Sequence, residues 1–369
     1  MKESSKRIFS IYTLRGVGAF IIAFFYHHYH FTSSHRSVFG GAYTAPLFKN
    51  GYLLVETFFM ISGFVMALNY KEKILSGSLE FKDYILRRIK HLYPLFFITL
   101  VVAALEHLAY VRLYKETYDL YAVDLTRFIQ NLLLVHMGWF SGKNSFNGPA
   151  WCIAVEMFCY IVFYLVCKWG KGHRSVFAVP AMIGLICVDK KWSYPLFGTK
   201  MGRGLSCFFI GVILNDLFAA YQKNKGRVKI HRINVLVLSA LLLVAFGIWR
   251  YGLGWVGKLQ MVYILFLGPA MLWLTVAEGP IRTVMEWKPF VTVGRWSMSI
   301  FLWNVPVQLL FMLADKKFSL HLDYWSLRFF AINMGSTLLT AFLSYEFIEK
   351  NSIRISDRAL HFFVQDEGR

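Results

Sequence analysis

The feature that most constrains this chain is a series of apolar runs of about 15 to 20 residues that recurs from one end to the other. They fall near 10–31, 51–70, 92–111, 150–167, 175–188, 204–222, 233–249, 259–277, 296–313 and 327–347. A helix of about 20 apolar residues rises about 30 Å, the thickness of a bilayer's hydrocarbon core. Lipid offers no hydrogen bonds, so a spanning segment must satisfy its own backbone, as a helix does. Composition agrees: hydrophobic residues make up 57% of 369 and charged residues only 17%, gathered between the runs. A soluble domain is about half apolar and one quarter charged. The expected fold class is therefore all-α, a polytopic membrane helix bundle of about ten transmembrane helices. A further piece, Phe128 to Phe140, is too short to span and is expected to be re-entrant or interfacial.

The net charge of +19 fits cytoplasmic loops better than a nucleic-acid surface, because Lys and Arg resist translocation. With the N-terminus inside, the inner segments hold 24 Lys and Arg and the outer ones 15, Arg15 lying within the first run. Both termini are then expected in the cytoplasm. Residues 1–350 read as one membrane domain and 351–369 as a cytoplasmic tail, with no added soluble domain. The first run follows a basic start, as a signal peptide does, but it is long, lacks a small-residue cleavage site and carries Arg15; it reads as a retained helix. The five cysteines lie in or beside apolar runs without metal-binding or disulfide spacing, and no metal is expected.

Ionisable groups inside such helices cost about 2.5–3.5 kcal/mol on insertion scales and usually face a cavity or a partner. Arg15 and the cluster His27, His28 and His30 lie in the first run, Glu56 in the second, Glu156 in the fourth and Asp216 in the sixth. Snorkelling of Arg15, and an aromatic belt of the histidines with Tyr26 and Tyr29, would account for some of them singly. Together they point to a functional interior.

Several stretches carry a recognisable pattern. They are Leu14-Arg15-Gly16 through Tyr26-His27, Gly51-Tyr52-Leu53 through Glu56 and Ser62-Gly63-Phe64, and Arg87-Arg88-Ile89-Lys90-His91-Leu92-Tyr93-Pro94. Asn147-Gly148-Pro149-Ala150-Trp151 through Glu156 to Tyr160 follows, then Gly294-Arg295-Trp296-Ser297 through Leu302-Trp303-Asn304-Val305-Pro306, and finally Tyr345 with Phe347-Ile348-Glu349-Lys350. In this order the chain resembles the acyltransferase family 3 membrane proteins. The resemblance implies an integral O-acyltransferase of the bacterial cytoplasmic (inner) membrane. It would move an acetyl group from cytoplasmic acetyl-CoA to a hydroxyl of a cell-surface polysaccharide or its lipid-linked precursor. Membrane lipid, acetyl-CoA and a carbohydrate acceptor are the implied partners.

Three positions depart from the family pattern. The family's spacing from Arg15 lands on Tyr26, and His27 is one residue late; on an ideal helix twelve steps miss the face of Arg15 by about 120°. A π-bulge would absorb the extra residue, or His28 or His30 takes the role. His91 stands where Arg is usual, and Asn304 where His is usual, so Asn304 is assigned no proton transfer.

Acyl transfer to a hydroxyl needs a held donor, a base and a stabilised oxyanion. His27, with His28 second, is the expected base, worth about 10² to 10⁴ in rate; an acyl-histidine intermediate is the alternative. Glu156 is the expected orienting carboxylate, and Arg15 or a backbone N–H faces the oxyanion. Arg15, Arg87, Arg88 and Lys90 are candidates for the CoA phosphates, since arginine binds two phosphate oxygens at once. From their places in the matching segments, Glu56, Ser62, Trp151 and Tyr160 are expected around the acceptor. A proton-coupled secondary transporter would also bury charges, but Pro180, Pro269 and Pro306 show no two-half symmetry of broken helices.

Overall fold

The structure, a computed structural model, describes residues 9–31, 38–39, 45–115, 122–140, 143–171, 173–192, 195–223 and 260–352. Within them the apolar runs form α1 (Phe9–Tyr29), α2 (Val55–Leu75), α3 (Phe81–Tyr114), α4 (Trp151–Gly170), α5 (Arg174–Asp189), α6 (Thr199–Lys223), α7 (Gln260–Val276), α8 (Ser297–Phe318) and α9 (Leu327–Ser344). Among the described residues seven helices are long and apolar enough to cross a membrane, with two shorter apolar ones at Ser175–Asp189 and Tyr263–Val276. The bundle is all-helical, as expected. The expected span at 233–249 lies outside the described residues. Phe128 to Phe140 contributes only the end of a short helix, Leu125–Leu132, and the turns after it.

Apolar side chains gain little by leaving lipid for a neighbouring helix, so membrane bundles depend on close packing through small residues. Three crossings here use glycine. Gly63 of α2 lies against the Phe208 carbonyl of α6, and Gly211 of α6 lies against the Met60 carbonyl of α2. Gly184 of α5 and Gly202 of α6 oppose each other in the same way. Gly16 of α1 abuts Gly294 in the short helix Lys288–Arg295, where an added Cβ would stand 2.7 Å from the Gly294 nitrogen. Around these seams Phe59, Phe64, Phe96, Phe163 and Phe208 fill one core. Charge is neutralised within it: Lys71 of α2 donates to both carboxylate oxygens of Asp216 of α6, at 2.7 and 2.8 Å.

The helix termini follow local chemistry. α3 and α4 end on left-handed residues, Lys115 and Lys171, and Asp124 and Ser326 cap the helices that follow them through side-chain oxygens. α3, at 34 residues, is about 51 Å long and outruns the hydrocarbon. Its first turns carry Lys82, Arg87, Arg88 and Lys90.

Because Gly211 meets backbone rather than a yielding side chain, Gly211→Val should lower the thermal midpoint of the detergent-solubilised protein by several degrees. Gly335, with nothing within 4 Å of an added Cβ, is the control, and Gly335→Ala should leave the midpoint in place. Equal midpoints for Gly211→Val and wild type would refute the packing argument.

Candidate active site

α1 is regular as far as Ile21, and then Ile22–Tyr26 takes a π-helical turn in which the His27 N–H reaches the Ile22 carbonyl. This is the bulge that the late histidine requires. Its wide turn is packed against Gly51, where an added Cβ would stand 2.8 Å from the Cβ of Tyr26. It also presents the Ala23 carbonyl to a side-chain donor, Asn304 Nδ2 of α8, at 3.0 Å. The same carboxamide faces His27 Nδ1 with its oxygen, at 2.8 Å. The Ala23 bond fixes which end of the amide is the oxygen, so the Asn304 oxygen accepts and Nδ1 must carry the proton. His27 Nε2 is left with its lone pair, as a base.

His27 lines a cavity of about 250 Å³ with Tyr26, His30, Tyr52, Trp151, Lys200, Arg203 and Gln308 among its walls. Arg203 is clamped by Glu56, with Nε to Oε1 at 2.7 Å and Nη2 to Oε2 at 2.9 Å, and Nη2 also donates to the Tyr52 carbonyl. Gln260 of α7 adds a bond to Glu56 Oε1 at 2.7 Å. The indole of Trp151 lies beneath two cations, with Lys200 Nζ 5.4 Å and the Arg203 guanidinium 5.3 Å from its centre. Asn147, from the stretch before α4, donates to the Leu302 carbonyl of α8 and so pins this wall to the helix that carries Asn304.

A second cavity of about 140 Å³ is lined by Arg15, Ser62, Arg88, His91, Cys152, Glu156 and Tyr160 among others. Phe301 of α8 lines both cavities. Here Ser62 donates to Glu156, and the Tyr160 hydroxyl donates to the same carboxylate oxygen at 2.6 Å. Arg88 bonds the Tyr70 hydroxyl and lies 4.7 Å over its ring. Arg15 and Arg88 make this cavity cationic, although their two helices lie far apart in sequence.

The expected residues therefore divide between two places. His27 and Trp151 meet at the first cavity; Arg15, Arg88, Ser62, Glu156 and Tyr160 meet at the second. Arg15 and His27 are about 18 Å apart along α1 at 1.5 Å per residue, so Arg15 does not face an oxyanion formed beside His27. Glu156 does not orient His27, being held by Ser62 and Tyr160; Asn304 does so instead. His28 is wholly buried against Trp325, Phe329 and Phe330, turned to α9 and lining neither cavity. Glu56 is buried against Arg203 and does not itself line the first cavity. Arg87 and Lys90 line neither cavity. The interior also draws on α6 and α8, which supply Lys200, Arg203, Asn304 and Gln308. Lys200 and Arg203 read as outer-loop charges because they precede the apolar run at 204, whereas α6 starts at Thr199. The unpaired Glu56 in the second run was the one sequence signal that a cation such as Arg203 had to lie opposite it. Among the described residues no cluster of His, Cys, Asp and Glu suits a metal ion.

Removing one partner of a buried ion pair strands the other, at a cost of about 3–5 kcal/mol. Glu56→Ala should therefore destabilise the solubilised protein strongly, and Glu56→Ala combined with Arg203→Met should recover part of the loss. A double variant that melts below both single variants would count against the pairing.

Comparison with known proteins identifies the family. The family model described as an acyltransferase domain matches residues 8–346. The peptidoglycan O-acetyltransferase OatA of Listeria monocytogenes is 23% identical over 340 residues, covering 82% of this chain and 51% of its own length. The O-acetyltransferase OatA of Staphylococcus aureus is 24% identical over 366 residues, covering 88% of this chain and 56% of its own. The chain thus spans about half the length of the curated relatives it matches. No solved structure matches it. With the family pattern running from α1 to the end of α9, this chain belongs to the acyltransferase family 3 membrane proteins.

Proposed function

We propose that this multi-pass membrane protein transfers an acetyl group from acetyl-CoA to a hydroxyl of a surface polysaccharide or its lipid-linked precursor. The observation that carries this reading is the clamp of Asn304 on His27, which leaves Nε2 as the proton acceptor in a cavity walled by aromatic and polar side chains. The relatives' names, O-acetyltransferase and peptidoglycan O-acetyltransferase, support the acyl group and the carbohydrate class.

In this scheme the protein sits in a bacterial cytoplasmic membrane with its N-terminus inside, and residues 1–350 form one membrane domain. The Arg15 cavity then opens toward the cytoplasm and receives the phosphates and pantetheine arm of acetyl-CoA, with Arg15 and Arg88 as the cations. The thioester reaches past Phe301, the residue common to both cavities. The acceptor lies in the His27 cavity. His27 Nε2 takes the proton of its hydroxyl as the oxygen bonds to the thioester carbonyl carbon. The carbon–sulfur bond breaks, and the imidazolium returns the proton to the departing thiolate, giving the acetyl ester and free CoA. Asn304 accepts from Nδ1–H throughout, and so stabilises the imidazolium as well as its orientation.

Membranes carrying single variants and supplied with acetyl-CoA labelled in the acetyl group test the scheme through alkali-labile label in envelope polymer. His27→Ala should lose at least 100-fold in rate. Asn304→Ala should lose about tenfold in kcat at nearly unchanged KM for acetyl-CoA, because positioning fails rather than binding. Arg88→Ala should raise that KM at nearly constant kcat. Wild-type activity in His27→Ala would remove the base from the mechanism and the reading with it.

A further inference from the structure

The His27 cavity carries an excess positive charge that transfer to a neutral sugar does not use. Of its lining residues only Lys200 and Arg203 are formally charged by nature, and none is acidic. Arg203 is neutralised by the bidentate Glu56 contact. Lys200 is not: its ammonium meets the Asn144 side-chain oxygen at 3.2 Å and the Met137 sulfur, and lies over the Trp151 ring. No carboxylate stands within 4 Å of it among the described residues. An ammonium offers three donors, and one neutral oxygen, a thioether and a ring are poor compensation for leaving water.

A second polar group lining the same cavity has no partner for its donor. Gln308 of α8 is 4% exposed, and its Nε2 has no hydrogen-bond acceptor. It stands one helical turn after Asn304, on the same face, and lines the cavity beside the base. A buried unsatisfied donor costs about 1–3 kcal/mol. A cavity lined by such a donor and by a cation without a counter-ion is one that a bound oxyanion would complete.

We propose that the acceptor is an acidic carbohydrate, bearing a carboxylate or phosphate oxyanion that Lys200 and Gln308 hold while His27 deprotonates the nearby hydroxyl. The assignment rests on the acetyl-transfer reading above and narrows its acceptor class. A sugar carboxylate and the phosphate of a lipid carrier are the two sources of the same chemistry.

The test uses the full chain, as wild type, Lys200→Met, Lys200→Arg, Gln308→Leu and His27→Ala. In membranes, labelled acetyl should appear in the anionic fraction of envelope polymer after ion exchange. Lys200→Met should lower it at least tenfold, Gln308→Leu several-fold, and Lys200→Arg should keep most of it. Added salt should raise the wild-type KM for acceptor and leave that of Lys200→Met flat, a response that a structural lysine would not give. In parallel the purified proteins are melted with trigalacturonate, with its trimethyl ester, and with farnesyl diphosphoryl N-acetylglucosamine. Stabilisation of wild type but not Lys200→Met by the first probe identifies a carboxylate, and by the third a phosphate. Label confined to neutral polymer, equal transfer by Lys200→Met, equal stabilisation by the methyl ester, or stabilisation by none of the probes overturns the assignment. If instead His27→Ala transfers like wild type while an anionic probe still needs Lys200, acetyl transfer by His27 falls and the anion site stands.

Discussion

The carboxamide of Asn304 holds together the two features on which the site depends, a distorted helix and an oriented imidazole. A π turn inside a membrane helix is costly because backbone groups that leave the regular ladder have no water to turn to. Here the Ala23 carbonyl finds the Asn304 amide nitrogen. With that end of the amide committed, its oxygen can only accept, and His27 Nδ1 must donate. One side chain thereby stabilises the bulge, aims the ring and selects the tautomer. A histidine at 304 could not do all three, since a neutral imidazole has one donor and one acceptor on opposite edges of a ring. The departure at 304 and the one-residue slip at 27 are thus two halves of a single arrangement.

The same economy governs charge. Two of the buried ions in the bundle meet a counter-ion from a distant span. Lys71 and Asp216 close one such contact between α2 and α6, and Glu56 and Arg203 close another between the same two helices. Both lie on the seam where Gly63 and Gly211 bring the helix backbones together. Close approach brings the charges within reach, and the charges select the register in which the glycines meet. Of the cations that line the cavities, Arg203 is paired in this way, whereas Arg15, Arg88 and Lys200 form no ion pair among the described residues. The proposed chemistry draws on that unbalanced charge.

Much of this was legible before any coordinates. Apolar run length located the spans, because the need to satisfy backbone in lipid leaves few alternatives to helix. The mismatch between a twelve-residue step and an ideal helix pointed to the π turn, since periodicity is a local property that sequence displays directly. The partners were not legible. Asn304 stands 277 positions from His27 and Glu156 stands nearer, so a carboxylate was the natural but mistaken choice of orienting group. Lys200 and Arg203 were hidden by a hydropathy boundary: a charged first turn followed by apolar residues looks like a loop until its counter-ion is known. His28 is the plainest case. Two adjacent histidines are chemically identical in sequence, and only the 100° between successive residues sends one to a cavity and the other into phenylalanine.

The division into two cavities has a consequence for how acyl transfer can be organised across a membrane. If donor and acceptor entered one open chamber, water and ions would share it, and a thioester beside a histidine base would hydrolyse. Phe301 instead stands between an arginine-lined cavity and the histidine cavity, borne on the helix that also carries Asn304. In the proposed scheme the wall between donor and acceptor and the residue that orients the base are borne on one helix. A shift of α8 that admitted the thioester to His27 would then also act on the Asn304 contact, coupling passage of the acyl group to readiness of the base, because Phe301 and Asn304 stand about one turn apart on a single helix.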